Sequence, residues 1–90
     1  MEISYDSEKR DWTLRERGLD FEDAAHVFAG TTLTIEDDRK EYGELRYQTL
    51  GMLNDRLVML VWTRRPRARH IISMRKANDR EKKRYEAQLE

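Results

Sequence analysis

Between Arg64 and Lys76 the chain holds six Arg/Lys and no acid. Arginine suits phosphate because its planar fork bonds two oxygens at once and it keeps its charge at any working pH. From residue 44 on, Arg outnumbers Lys nine to three, which favours an anion surface over generic solubility. The plainer alternative is that Arg and Lys guard an edge strand against pairing with another chain, and that "REKKRYE" is a solvated helix face. Upstream, Glu44 and Arg46 alternate with Leu45 and Tyr47, as Ser73 and Arg75 alternate with Met74 and Lys76. RNA carries its own nucleophile, the 2′-OH. A protein that cuts it needs only a base, an acid for the leaving oxygen, and cations on the phosphate. Glu44, Arg46, Arg75, a nearby Arg64 and Tyr85 from the last helix supply that inventory without a metal.

Other chemistries find little support. His26 and His70 stand 44 positions apart, cysteine is absent, and the acids of "IEDDRKE" lack the spacing of a calcium loop, so no metal or cofactor is expected. No phosphate loop, dinucleotide fingerprint or nucleophile motif is present. His26 reads as structural. His70 lies among Arg67, Arg69 and Arg75, whose like charge lowers its pKa; a neutral imidazole could accept a proton, but a structural role is the favoured reading.

Several elements must position these residues. "EISYD" alternates and can add a short first strand, "DSEKRDWTLRERG" and "DFEDAAHVFAG" read as helices stopped by Gly18 and Gly30, and the first has a thin apolar stripe of Trp12 and Leu14. The period then switches to two in "TTLTIED" and "ELRYQTLGML". "ND" and "RPRA" are turns on either side of the apolar run "RLVMLVWTR", which belongs to a central strand covered on both faces, and "RHIISMRK" completes a meander. "NDREKKRYEAQLE" is a helix, with Asn78 and Glu81 spaced for a capping box. The expected fold is α+β, with two N-terminal helices, an antiparallel sheet of about four strands and a C-terminal helix. Strict alternation puts Glu44, Arg46, Gln48, Ile71, Ser73 and Arg75 on one polar face, and His70, Ile72, Met74 and Lys76 opposite.

At 90 residues, with 40% charged and 38% apolar side chains, the chain makes a single domain over residues 1–90 with one modest core. Zero net charge conceals a division. Residues 1–44 carry 6 Lys/Arg against 13 Asp/Glu, and residues 45–90 carry 12 against 5. No apolar run approaches the roughly 20 residues that span a membrane, and the acidic start is unlike a signal peptide, so a cytoplasmic protein is expected.

Three stretches, "YD..K" with "RERG.DFEDA..VF", "DDR..YGE.R...LG", and "RHIISMRKAN.RE...Y", resemble in order and spacing the BrnT-type toxins of bacterial type II toxin–antitoxin systems. The resemblance runs nearly end to end. It implies a RelE-like ribonuclease fold and an RNA-cleaving toxin that arrests translation. It also implies a BrnA-type ribbon-helix-helix antitoxin, through which the complex reaches DNA and represses its own promoter. On the matching positions it assigns Arg46 and Arg75 to phosphate with Arg64 as a third cation, and protons to Tyr85 or Glu44. Arg67, Arg69, His70 and Lys76 then attract RNA or meet the antitoxin. Thr13 and "RERG" stand where the family pattern has Asn and "KHG", so Arg17 replaces a His. Two alternatives compete: a non-catalytic module whose basic strand docks an acidic partner, and a RelE-fold toxin with a non-RNA target such as gyrase.

Overall fold

The computed structural model describes residues 2–89. Its elements run β1 (Glu2–Tyr5), α1 (Ser7–Arg17), a 3₁₀ turn (Phe21–Asp23) leading into α2 (Ala24–Ala29), β2 (Thr32–Glu36), β3 (Tyr47–Leu53), β4 (Arg56–Arg65), β5 (Ala68–Lys76) and α3 (Asp79–Leu89). The α+β class stands, but the sheet is five-stranded and mixed, in the order β1-β5-β4-β3-β2. Strands β2 to β5 are antiparallel, and β1 adds to β5 in parallel. The second predicted helix is a single 3₁₀ turn and six α-helical residues.

Local chemistry sets the boundaries. Asp6 caps α1 by accepting from the Glu8 amide, and Gly18 ends it in the left-handed region (φ 69°) with its N–H on the Leu14 carbonyl. Asn54, at φ 56°, turns β3 into β4. At α3 the capping box forms in both directions: Glu81 N–H donates to Asn78 Oδ1 (2.8 Å) and Asn78 N–H to Glu81 Oε1 (3.0 Å).

The central strand β4 is buried on both faces. On one, Val58, Leu60 and Trp62 meet Phe21, Ala24 and Val27, with Ile71 and Met74 from β5. On the other, Leu57 and Met59 join Leu50, Ala77 and Tyr85 beneath α3. Gly51 of β3 is what lets α2 approach: a Cβ there would stand 2.7 Å from Val27 Cγ1 and 3.1 Å from Thr32 Cγ2. Gly51→Ala is expected to cost about 1–3 kcal/mol through overpacking, seen as a fall in Tm of roughly 5–20 °C; an unchanged Tm would contradict the close approach.

Two expectations about faces fail. The first concerns α1, which turns Thr13 inward and leaves Trp12 (46%) and Leu14 (40%) exposed. The second concerns β5. Val61 pairs with Ser73 and Trp62 with Ile71, so Ile72 is an extra residue, a β-bulge. The bulge resets the alternation and sends both Ile71 and Met74 into the α2-side core. Beyond Ile71, β5 has no strand on the β1 side; α1 lies there, and Arg17 donates to the Met74 carbonyl (3.0 Å). Among the described residues no helix is long and apolar enough to cross a membrane.

Candidate active site

Helix α3 covers only part of its face of the sheet. The pairings Gln48–Val61–Ser73 and Met59–Arg75 leave Gln48, Ser73 and Arg75 on that face. Thr63 and His70 pair on the same side, as does Ser4, which stands between the inward-facing Ile3 and Tyr5. The result is an open, polar half of a sheet floor with α3 along one margin.

The connection from residue 37 to residue 46 forms a second margin. Glu44 and Arg46 lie in it and not in β3, contrary to the sequence expectation, because β3 begins at Tyr47. The segment is tied down at several points. Buried Asp37 accepts from Arg39 Nε (2.7 Å) and Nη2 (2.8 Å), and its amide donates to the Arg46 carbonyl (2.8 Å). The Arg39 bonds, against the opposing pull of burial, hold the Asp37 carboxyl down at about 2. Thr63 Oγ1 donates to the Leu45 carbonyl at 2.6 Å.

Glu44 is thereby set between two guanidinium groups: Arg46 Nε at 3.1 Å and Arg65 Nη1 at 3.4 Å. The Arg46 hydrogen bond, then Arg65, keeps its carboxyl below the usual carboxylate range. The Arg46 guanidinium stacks on Tyr42 at 4.2 Å, which fixes its plane. Next to this trio is His70, half-buried, with Nδ1 2.9 Å from Ser4 Oγ. Burial first, then the charge of Arg65, pushes its pKa below the ordinary value, while Glu44 pulls the other way. Together these favour the neutral form of the imidazole, whose Nδ1 is engaged by Ser4.

Arg75 stands at the α3 margin. Its Nη1 and Nη2 reach Glu81 Oε1 and Oε2 at 2.8 Å each, and Nη1 also donates to the Lys76 carbonyl (3.2 Å). Nε–H and the second Nη2 hydrogen stay unused by these bonds. The fork is thus held in one orientation by a carboxylate that is itself fixed in the helix cap.

A profile of the family described as "Ribonuclease toxin, BrnT, of type II toxin-antitoxin system" matches residues 5–81. The chain belongs to the BrnT family. A comparison with curated proteins returned no match. Membership makes it a ribonuclease toxin of a type II system, with an antitoxin as partner.

Against this BrnT frame, the sequence-predicted residues divide. Glu44, Arg46 and His70 come together, with Arg75 on the same face. Arg64 does not join them: it pairs with Arg69 and lies over the Tyr47 ring (5.9 Å), on the α2 side. Tyr85 does not reach in either; it is 7% exposed, and its hydroxyl donates to the Thr31 carbonyl at 2.8 Å. Arg69 lies over Phe28 (4.1 Å) and Trp62 (5.4 Å), Lys76 pairs with Val58 on that same face, and Arg67 sits in the β4–β5 turn. Sequence reasoning missed Arg65 and Ser4. Phasing outward from Trp62 would have found Arg65, since Trp62 and Arg64 must then face one way and Thr63 and Arg65 the other. Nothing in the sequence announces Ser4, because its position depends on the parallel pairing of β1. Among the described residues, no group of three or more His, Asp or Glu is placed to hold a metal ion.

Proposed function

We propose that the chain cuts RNA by metal-independent acid/base chemistry on the open half of the sheet, and that this arrests translation. The observation that supports the reading best is His70, hydrogen-bonded to Ser4, on the same face as a Glu44 held between Arg46 and Arg65. In this mechanism Nδ1–H of His70 donates to Ser4 and Nε2 accepts the proton of the 2′-OH. The 2′-oxygen attacks phosphorus, the 5′-oxygen leaves and takes a proton from a water whose hydroxide is neutralised by the imidazolium proton, and the products are a 2′,3′-cyclic phosphate, a 5′-hydroxyl and neutral His70. Arg46, Arg65 and Arg75 carry the charge that builds on the phosphate oxygens. Glu44 sets the spacing of two of these cations and stabilises the imidazolium as it forms. Arg67 at the turn adds long-range attraction for the RNA backbone. The likeness to RelE-type ribonucleases is part of this proposal, and so is a BrnA-type ribbon-helix-helix antitoxin that covers the cations and carries the complex to DNA.

The test is the pH dependence of cleavage. His70 must be neutral to act, and its pKa is lowered, so the rate is expected to hold from pH 8 down past 6.5 and to fall only below that. His70→Gln is expected to lower the rate by about 10²-fold and to abolish that acid limb. An unchanged limb in His70→Gln would remove His70 from the mechanism.

A further inference from the structure

Helix α1 and the unpaired stretch of β5 enclose a groove of about 530 Å³, whose walls include Lys9, Trp12, Thr13, Arg17, Ile72 and Ser73. Two features connect it to the open face. Ser73 lines the groove and shares that face with Arg75. Lys9 and Asp6, also on the wall, stand close enough to His70 for their charges to act on it. The Ile72 bulge lies where groove and face meet, a common place for a strand to re-aim its side chains.

The groove holds a large aromatic ring in a fixed place. Trp12 is 46% exposed. Its indole is steadied by the Arg17 guanidinium, 5.0 Å from the ring centroid, and Arg17 is anchored on the Met74 carbonyl. A rigid, wet aromatic beside a phosphate-binding surface is what an unstacked nucleobase needs. The remaining wall groups narrow the choice of base. Asp6 is engaged as the cap of α1, but Glu8 brings a second carboxylate to the wall, which accepts hydrogen bonds, and guanine offers N1–H and an exocyclic amine together on one edge.

We propose that this groove binds one unpaired guanine of the RNA, stacked on Trp12 and adjoining the nucleotide that is cut. The inference rests on the RNA-cleaving reading and gives it a base preference.

The test uses binding, so that it does not depend on cleavage. Fluorescein-labelled 2′-O-methyl trinucleotides, which lack the nucleophilic hydroxyl, are titrated into the full chain while anisotropy and indole emission are followed. The chain has two tryptophans, and Trp62 is 5% exposed, so quenching on binding reports Trp12. Quenching is expected, with a guanine-containing trinucleotide bound about tenfold tighter than its uracil counterpart, as one matched edge contact gives. Trp12→Ala is expected to raise Kd by roughly 5- to 100-fold, the usual range for one stacked base. Trp12→Phe should restore most of the affinity, and Glu8→Gln should reduce the guanine preference. Absence of binding or of quenching, or a Trp12→Ala affinity within twofold of the parent, would overturn the subsite. Quenching by the antitoxin but not by RNA would overturn it too, and make Trp12 a protein contact. Guanine-selective binding without cleavage of ordinary RNA would sink the catalytic reading and leave the subsite standing.

Discussion

The Arg75→Ala protein is expected to cleave RNA roughly 10²–10³-fold more slowly than the parent, the usual consequence of removing one preorganised donor from a developing oxyanion. It should also be less stable by about 1–3 kcal/mol, because Glu81 is left as a carboxylate only 7% exposed without its partner. Both effects follow from one geometry, the two 2.8 Å bonds that bind the guanidinium end-on to Glu81. Two further variants separate them. Glu81→Gln loses the charge partner and weakens the α3 cap, so stability falls comparably, while Arg75 keeps its place and cleavage falls less. Arg75→Lys keeps the charge and loses the fork, and is expected to lie between Ala and the parent in rate. Cleavage by folded Arg75→Ala at the parent rate would remove Arg75 from the site.

The largest loss of stability is expected from Trp62→Ala, on the opposite face. Trp62 donates from Nε1 to buried Thr49 Oγ1 (2.8 Å) and packs on Tyr47 (centroids 4.8 Å apart) and edge-on to Phe28 (5.4 Å). Its removal takes away the bulk that joins β3, β4 and α2 and leaves buried Thr49 with Thr34 as its remaining side-chain partner (2.7 Å). A cost of about 3–5 kcal/mol is expected, on the order of 20 °C in Tm. Cleavage per folded molecule, measured well below that Tm, should stay near the parent value, since Trp62 faces away from His70 and Glu44. A large loss of cleavage in the folded variant would mean that the two faces are coupled.

These two residues show what the sequence made legible. The apolar run of β4, the turns around it and the capping box of α3 are local signals, and each stands where its chemistry put it. Arg75 was readable because it shares strand alternation with Ser73 on the same side of the bulge. The bulge itself was not readable. An extra residue at Ile72 looks like any other β-branched strand residue, yet it moves Ile71 to the face that Met74 occupies. Glu44 and Arg46 were found as residue types, but their place in a tethered connection depends on Asp37, Arg39 and Thr63, which are distant or unremarkable in sequence. Tyr85 was named as a residue of the last helix that reaches the site; with Glu81, four residues earlier, it forms the buried side of α3. What the sequence could not say was that its hydroxyl would meet the Thr31 carbonyl before reaching the site.

The most direct measurement is the chemistry of the ends produced when the purified chain is mixed with RNA in the presence of EDTA. The account predicts cleavage under those conditions, with 2′,3′-cyclic phosphate and 5′-hydroxyl termini by mass spectrometry, and no cut in a strand whose 2′-oxygens are methylated. Intact RNA, cleavage only with added Mg²⁺, or 5′-phosphate ends would contradict it.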